Sequence, residues 1–337
     1  MKAVGFYRNL PVDDPNSIVD VEIDKPAPRE RNLLVRVKAV SVNPVDVKTR
    51  ARKADDGKLA IPGWDVSGIV EETGPDCHLF KAGDEVYYAG SVSVQGADSE
   101  FHVVDERIAG KKPASLSHAE AAAMPLTSIT AWEGMFDRMK IIRDPDLNIG
   151  KTILIIGGAG GVGSIATQLA HEAGLRVIAT TSRPESTEWA LAHGATYTID
   201  RTKDFKNQIN DIGLKYVDYI FCLNSLDEHW DSIAKVIAPL GHICAIIGPK
   251  GPIDMGALWD KSVVFSWEFM STRPNYNTPD LIFQHEILND LADLIDNGRI
   301  KTTLNSTMSP INASNMRKAH KQIESGTTIG KIVLEGF

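Results

Sequence analysis

Residues 151–174 read KTILIIGGAGGVGSIATQLAHEAG, a stretch that admits two incompatible folds. Residues 152–170 carry no charge and are long enough to suggest a membrane span. Five glycines in the middle make a poor spanning helix; a strand, a tight turn and a helix explain the stretch better. KTILIIG (151–157) is a buried strand. GVGSIATQLAHEAG (161–174) is a helix with Ile165, Ala166, Leu169, Ala170 and Ala173 on one face, stopped by Gly174. Between them lies Gly158-x-Gly160-x-x-Gly163. In a dinucleotide-binding turn the first glycine allows the bend, the second lets backbone approach a pyrophosphate, and the third lets helix and strand pack closely. The helix N-terminus offers N–H groups to the anion. A glycine-rich turn without a ligand is the alternative; the strand, turn, helix and following strand argue against it.

Beyond this stretch, RVIATTS is a strand and RPESTEWALAHG a helix, with Pro184 near its first turn and Gly194 at its end. ATYTID, VDYIFCLN and HICAIIG are further strands. Strands alternating with helices predict a doubly wound, Rossmann-type parallel sheet. The first ~125 residues instead read as short strands between turns. LLVRVKAVSVN (33–43), SGIVEETG (67–74) and DEVYYAG (84–90) alternate apolar and polar residues and predict a β-rich domain. Residues 284–300 and 312–326 predict amphipathic helices and GKIVLEGF (330–337) a last strand, which are expected to return to the first domain.

Composition narrows the function classes. The 337 residues are 43% hydrophobic and 24% charged, with a net charge of −8. That acidity argues against nucleic acid as a partner, because phosphate binding needs clustered Lys and Arg. The short basic clusters, Arg50 to Lys53 and Lys111-Lys112, read as solvated surface. Cys77, Cys222 and Cys244 give no disulfide framework and suggest a reducing compartment. MKAVGFYRNLPVDDP has no apolar core of a signal peptide, so a cytoplasmic protein with no membrane partner is expected.

The end of the second strand bears on the choice of dinucleotide. An NAD site places Asp or Glu about 20 residues after the glycines. Here the run is Ala179-Thr180-Thr181-Ser182-Arg183, with no acid until Glu185. A hydroxyl and a guanidinium suit a 2′-phosphate, so NADP(H) is preferred over NAD(H). The alternative for Arg183 is a surface charge capping the loop.

The chain resembles the medium-chain dehydrogenase/reductase superfamily. Within it, the chain resembles the quinone-oxidoreductase branch and the bacterial zinc-type alcohol dehydrogenase-like group. The resemblance rests on SVNPVDVKTR (41–50), GWDVSGIVEETG (63–74), FKAGDEVYYAG (80–90), AAAMPLTSITAWE (121–133), GGAGGVGSIATQLA (157–170) and GKIVL (330–334) in that order. It implies a Rossmann-type sheet (127–271) inserted in a β-rich, GroES-like catalytic domain (1–126 and 272–337). It also implies a homodimer paired through the edge of that sheet, with HICAIIG and GPIDMG as the candidate edge.

In metal-dependent relatives zinc is held at three positions. The first is Asn43 in this chain, the second is Trp64, and the third falls where no cysteine occurs. Asn and Trp are not zinc ligands, so no zinc is expected. Asp46 and Asp65 are read as hydrogen-bonding groups that shape the loop. The resemblance implies Asn43 and Thr127 as groups near nicotinamide and substrate; a turn residue before Pro44 and a helix N-cap are the alternatives. Trp64 and Tyr88 are candidate pocket walls, although strand alternation makes at least one of Tyr87 and Tyr88 core. The expected cofactor-binding set is Gly158, Gly160, Gly161, Val162, Gly163, Thr181, Ser182, Arg183, Asn224, Ile247, Gly248 and Lys331.

Without a Lewis acid an alcohol is hard to activate for oxidation, whereas a quinone or α,β-unsaturated carbonyl accepts hydride directly. The expectation is an NADPH-dependent, zinc-independent oxidoreductase acting on such small molecules. A zinc alcohol dehydrogenase with atypical ligands, and an NADPH-binding protein without catalysis, remain the alternatives.

Overall fold

The glycine turn joins strand Thr152–Ile156 to helix Gly161–Glu172 in the computed structural model, which describes residues Met1–Phe337. All five strand side chains are buried, as an apolar run without alternation requires. The chain divides into two compact units: Thr130–Met270, around this turn, and Met1–Ile129 with Ser271–Phe337.

In Thr130–Met270 the sheet runs Tyr197–Asp200, Arg176–Thr181, Thr152–Ile156, Val217–Cys222, Ile237–Ala245, Val264–Trp267. Every neighbouring pair is parallel. Numbered along the chain, the strands therefore lie 3-2-1-4-5-6, the doubly wound order. The order reverses between Thr152–Ile156 and Val217–Cys222, and ligands of such sheets bind beyond the strand ends at that reversal. Leu154, Ile156, Ile178, Ile220, Trp230 and Ile243 build the core.

Two differences from expectation concern this sheet. Ile237–Ala245, which contains HICA, is an interior strand; the edge on that side is Val264–Trp267. That edge strand has four residues, none of them buried, so its hydrophobic pattern is weak. Helix Leu226–Val236 is a further element, in which Leu226, Trp230 and Ile233 bury one face at i, i+4, i+7 spacing. Residues 127–139 are helical, with Pro125–Trp132 leading into a wider π-turn over Glu133–Arg138. Gly134 is needed there: a Cβ would lie 2.5 Å from Phe221 Cζ.

The other unit is organised by the eleven-residue strand Asn32–Val42. It pairs antiparallel with Val66–Thr73, Phe101–Asp105 and Lys331–Glu335. Glu85–Tyr88 and Ala109–Lys111 extend the sheet on one side. Leu304–Met308 closes the other side, parallel to Lys331–Glu335. Val40, Phe80, Tyr88, Ile332 and Leu334 are core. Register brings distant residues to one end of this sheet. Ile332 faces Val42 and Val40 faces Val66, so Lys331, Asn43 and Asp65 leave adjacent strands together.

The basic clusters are not simply solvated. Arg50 is buried, donating to Leu10 O and to Glu324. Lys112 donates to Leu116 O at 2.6 Å and pairs with Glu85. No helix is long and apolar enough to cross a membrane.

Candidate active site

The glycine loop has the geometry its sequence implies, with one adjustment. The left-handed residue is Gly157, at φ +94°, one position before the motif. Gly158 lies against the second strand, where a Cβ would meet Ala179 Cβ at 2.6 Å. A Cβ on Gly163 would meet Gly157 O at 2.1 Å, so this glycine sets the helix–turn approach. Gly160 caps helix Gly161–Glu172 in extended conformation, and the Cβ position there is nearly open, 3.5 Å from Gly157 O. The first-turn N–H groups of Gly161, Val162 and Gly163 have no helical acceptor. A phosphate fits there because N–H groups and helix dipole both favour an anion.

At the second strand's end, Thr180 Oγ1 accepts from Gly157 N at 2.9 Å and so ties the strand to the turn. Thr181 Oγ1 lies 2.8 Å from Thr187 Oγ1. Ser182 and Arg183 are exposed beyond it. They join Thr181, Thr187 and Asp200 in lining a groove of about 790 Å³. Asp200 is the nearby carboxylate, but Thr202 N and Oγ1 donate to it at 2.9 and 2.7 Å. These hydrogen bonds hold its carboxyl below the usual range.

Asn224 follows Val217–Cys222 at the reversal of strand order. A Cβ on Gly157 would lie 3.1 Å from Asn224 Nδ2, so the amide rests against the loop. Asn224 Oδ1 is buried with no hydrogen-bond partner. Ser225 next to it is held at φ +45°, a costly conformation for serine that fixes the turn. Ile247 and Gly248 follow strand Ile237–Ala245, and Gly248 has open space about its Cβ position. The glycine turn, the unpaired Asn224 oxygen and the free N–H groups together fit a dinucleotide.

In the other unit the expected residues form a buried polar network. Asn43 Nδ2 donates to Ser41 O at 3.2 Å and to Asp65 Oδ2 at 3.1 Å. Its Oδ1 accepts from Lys331 Nζ. Lys331 Nζ also donates to Asp65 Oδ2 at 2.8 Å. Asp65 Oδ1 accepts from Leu126 N at 3.1 Å. Asp46 accepts from Asn43 N at 2.6 Å and from Gly63 N at 3.0 Å. The loop-shaping role read for both carboxylates is what this geometry displays.

Several expected roles change. Both amide hydrogens of Asn43 are used inside the protein, so it is not a free donor for a substrate carbonyl. Lys331 was expected against the cofactor; here it is 3% exposed and committed to Asn43 and Asp65. Tyr88 is fully buried, with its hydroxyl 3.0 Å from His102 Nδ1, so it is core and not a pocket wall. Trp64 is buried, its indole N–H donating to Val94 O at 3.4 Å. Thr127 is no N-cap: it lies within helix Pro125–Trp132 and its hydroxyl donates to Met124 O at 3.3 Å.

Burial perturbs the acids. It pushes the Asp46 carboxyl up to about 6, against the N–H groups of Asn43 and Gly63. It raises Asp65 too, opposed by the Lys331 ammonium. Asp98, which sequence reasoning missed, is raised well above the usual range by burial and by Asp46. Its signal is indirect: Gly63, at φ +99°, would place a Cβ 2.3 Å from Asp98 Oδ1.

These residues do not fit zinc. The first two ligand positions hold an amide and an indole, and both neighbouring carboxylates are committed to protein donors. No group of three or more His, Cys, Asp or Glu side chains that could hold a metal ion is assembled.

Residues 29–134 match the family described as alcohol dehydrogenase GroES-like domain, and 193–334 the family described as zinc-binding dehydrogenase. A zinc-type alcohol dehydrogenase-like protein of Staphylococcus aureus Mu50 is 41% identical over 334 residues, 99% of each chain. The chloroplastic NADPH-dependent alkenal/one oxidoreductase of Arabidopsis thaliana is 31% identical over 319 residues, 92% of this chain and 73% of that protein. A solved structure from Rhizobium etli, provisionally described as a zinc-dependent alcohol dehydrogenase, is 48% identical with TM-score 0.95, covering 100% of this chain and 98% of that one. Escherichia coli quinone oxidoreductase, solved with NADPH, is 26% identical with TM-score 0.83, covering 99% and 100%. Fold, glycine turn and relatives agree: the chain belongs to the medium-chain dehydrogenase/reductase superfamily and is an oxidoreductase of that superfamily.

Proposed function

We propose that this chain is an NADPH-dependent oxidoreductase that reduces a quinone or an α,β-unsaturated carbonyl without zinc. The observation that carries the reading is the pair Asn43 and Trp64, which stand buried and committed to protein partners where metal-dependent relatives place ligands. The quinone oxidoreductase and the alkenal/one oxidoreductase among the relatives support the acceptor class. A bound nicotinamide supplies the hydride. The first-turn N–H groups of Gly161, Val162 and Gly163 bind its pyrophosphate, and Thr181, Ser182 and Arg183 bind the 2′-phosphate. Asn224, Ile247 and Gly248 orient the nicotinamide end. An activated acceptor takes hydride and one proton, so electrostatic positioning replaces metal activation.

The same reading takes the protein as a homodimer joined through Val264–Trp267. That edge exposes Val264, Trp267 and Phe269, and an unpaired strand is a template for a second copy. The experiment is NADPH consumption on a panel of quinones and enones. Turnover on at least one class supports the reading; tight NADPH binding with no turnover on any opposes it.

A further inference from the structure

Three strand ends converge on one ammonium group. Lys331 Nζ donates to Asn43 Oδ1 and, at 2.8 Å, to Asp65 Oδ2. Asn43 stands at the first metal-ligand position of metal-dependent relatives, and Asp65 follows the second. Asp65 is fully buried and Lys331 nearly so. A buried carboxylate needs a counter-charge, and here the chain supplies it. A divalent ion recruited to the same two oxygens would face a fixed positive charge at contact distance, where repulsion is severe in a site this buried.

We propose that Lys331 is the resident cation of this site. Its ammonium takes the place of a divalent metal and closes the site to one. The proposal rests on the metal-free reading above and adds the residue responsible. Asn43 Oδ1 and Asp65 Oδ2, which the ammonium bridges, are the donors that its removal would release.

The test compares wild type, Lys331→Met and Lys331→Met/Asp65→Asn as full-length proteins. Each is stripped with a chelator, equilibrated with manganese or magnesium, the ions that amide and carboxylate oxygens suit, and gel-filtered; metal per chain is then measured by mass spectrometry, and melting with and without each metal. Wild type and the double variant are expected to retain only background metal and to melt unchanged. Lys331→Met is expected to retain at least roughly tenfold more divalent ion and to be stabilised by it, since a ligand bound to the folded state raises its melting temperature. If Lys331→Met does not fold alone, Lys331→Gln takes its place. An uncharged variant that treats metal as wild type does overturns the resident-cation role and leaves the metal-free reading standing. One divalent ion per wild-type chain, zinc included, overturns both.

Discussion

Lys331 and Asp65 lie 266 residues apart in sequence and 2.8 Å apart in space, Nζ to Oδ2, at the ends of strands flanking Asn32–Val42. Removing one partner leaves a buried charge without compensation, which costs about 3–5 kcal/mol. Lys331→Met should therefore lower denaturant stability by that order, and adding Asp65→Asn should recover part of the loss. Equal stability of wild type and Lys331→Met would show that the pair contributes nothing.

The glycine loop separates packing from binding. Ala at 163 puts a Cβ 2.1 Å from Gly157 O, whereas Ala at 248 meets nothing within 4 Å. Gly163→Ala should weaken NADPH binding by at least roughly tenfold, because the helix N-terminus moves away from the phosphate. Gly248→Ala should leave the melting temperature unchanged. Fluorescence titration and thermal melting check both; unchanged NADPH affinity in Gly163→Ala would contradict the loop's role.

Arg183 bears on the cofactor. The exposed guanidinium follows Thr181 and Ser182 with no acid before Glu185, and the nearby Asp200 is already bonded to Thr202. Arg183→Ala should weaken NADPH far more than NADH, by roughly a hundredfold if a bidentate phosphate contact is lost. Parallel losses for the two nucleotides would remove the preference.

Each buried histidine should lower stability as pH falls. Burial, with Arg50 nearby, pushes His320 down to about 3 from 6.5, and burial pushes His102 to about 4. Both stay neutral in the fold while the unfolded chain takes up protons, so stability is intact above pH 6.5 and lost as pH falls toward 4. Asp46 has the opposite sign: raised to about 6, it adds stability as pH falls from there toward 3.8. Asp65 and Asp98, raised by burial as well, act in the same direction as Asp46, so the histidine contribution, about 1.4 kcal/mol per pH unit for each group, is read by substitution. His320→Leu should change the slope of stability against pH below 6.5 by about that amount; a denaturation series in which its slope equals that of wild type would contradict the assignment.

The edge strand is open to a simple charge test. Val264 and Trp267 are both about half exposed on it. Val264→Lys should shift the chain from dimer to monomer in light scattering, since an edge lysine blocks strand pairing. A wild type that is monomeric at all concentrations would dispose of the dimer.

The parallel sheet was legible because its strands are buried on both faces and read as unbroken apolar runs, as in TILII and YIFC. The glycine motif was legible because its function is local. Val264–Trp267 was not: four half-exposed residues carry little pattern. The position of Lys331 was not either, since it depends on register between strands 288 residues apart and no local signal joins GKIVL to SVNPVD. Asn43 was found as a polar site residue, but only the fold shows that its amide faces inward to Ser41, Asp65 and Lys331.

The proposed reaction is hydride transfer from NADPH to an activated acceptor without metal. The most direct measurement is NADPH-dependent reduction of quinones and enones by protein whose metal content has been assayed before and after chelation. The prediction is turnover on at least one of the two classes, faster with NADPH than NADH, with the same rate after chelation and no stoichiometric zinc. Stoichiometric zinc whose removal abolishes turnover would contradict it.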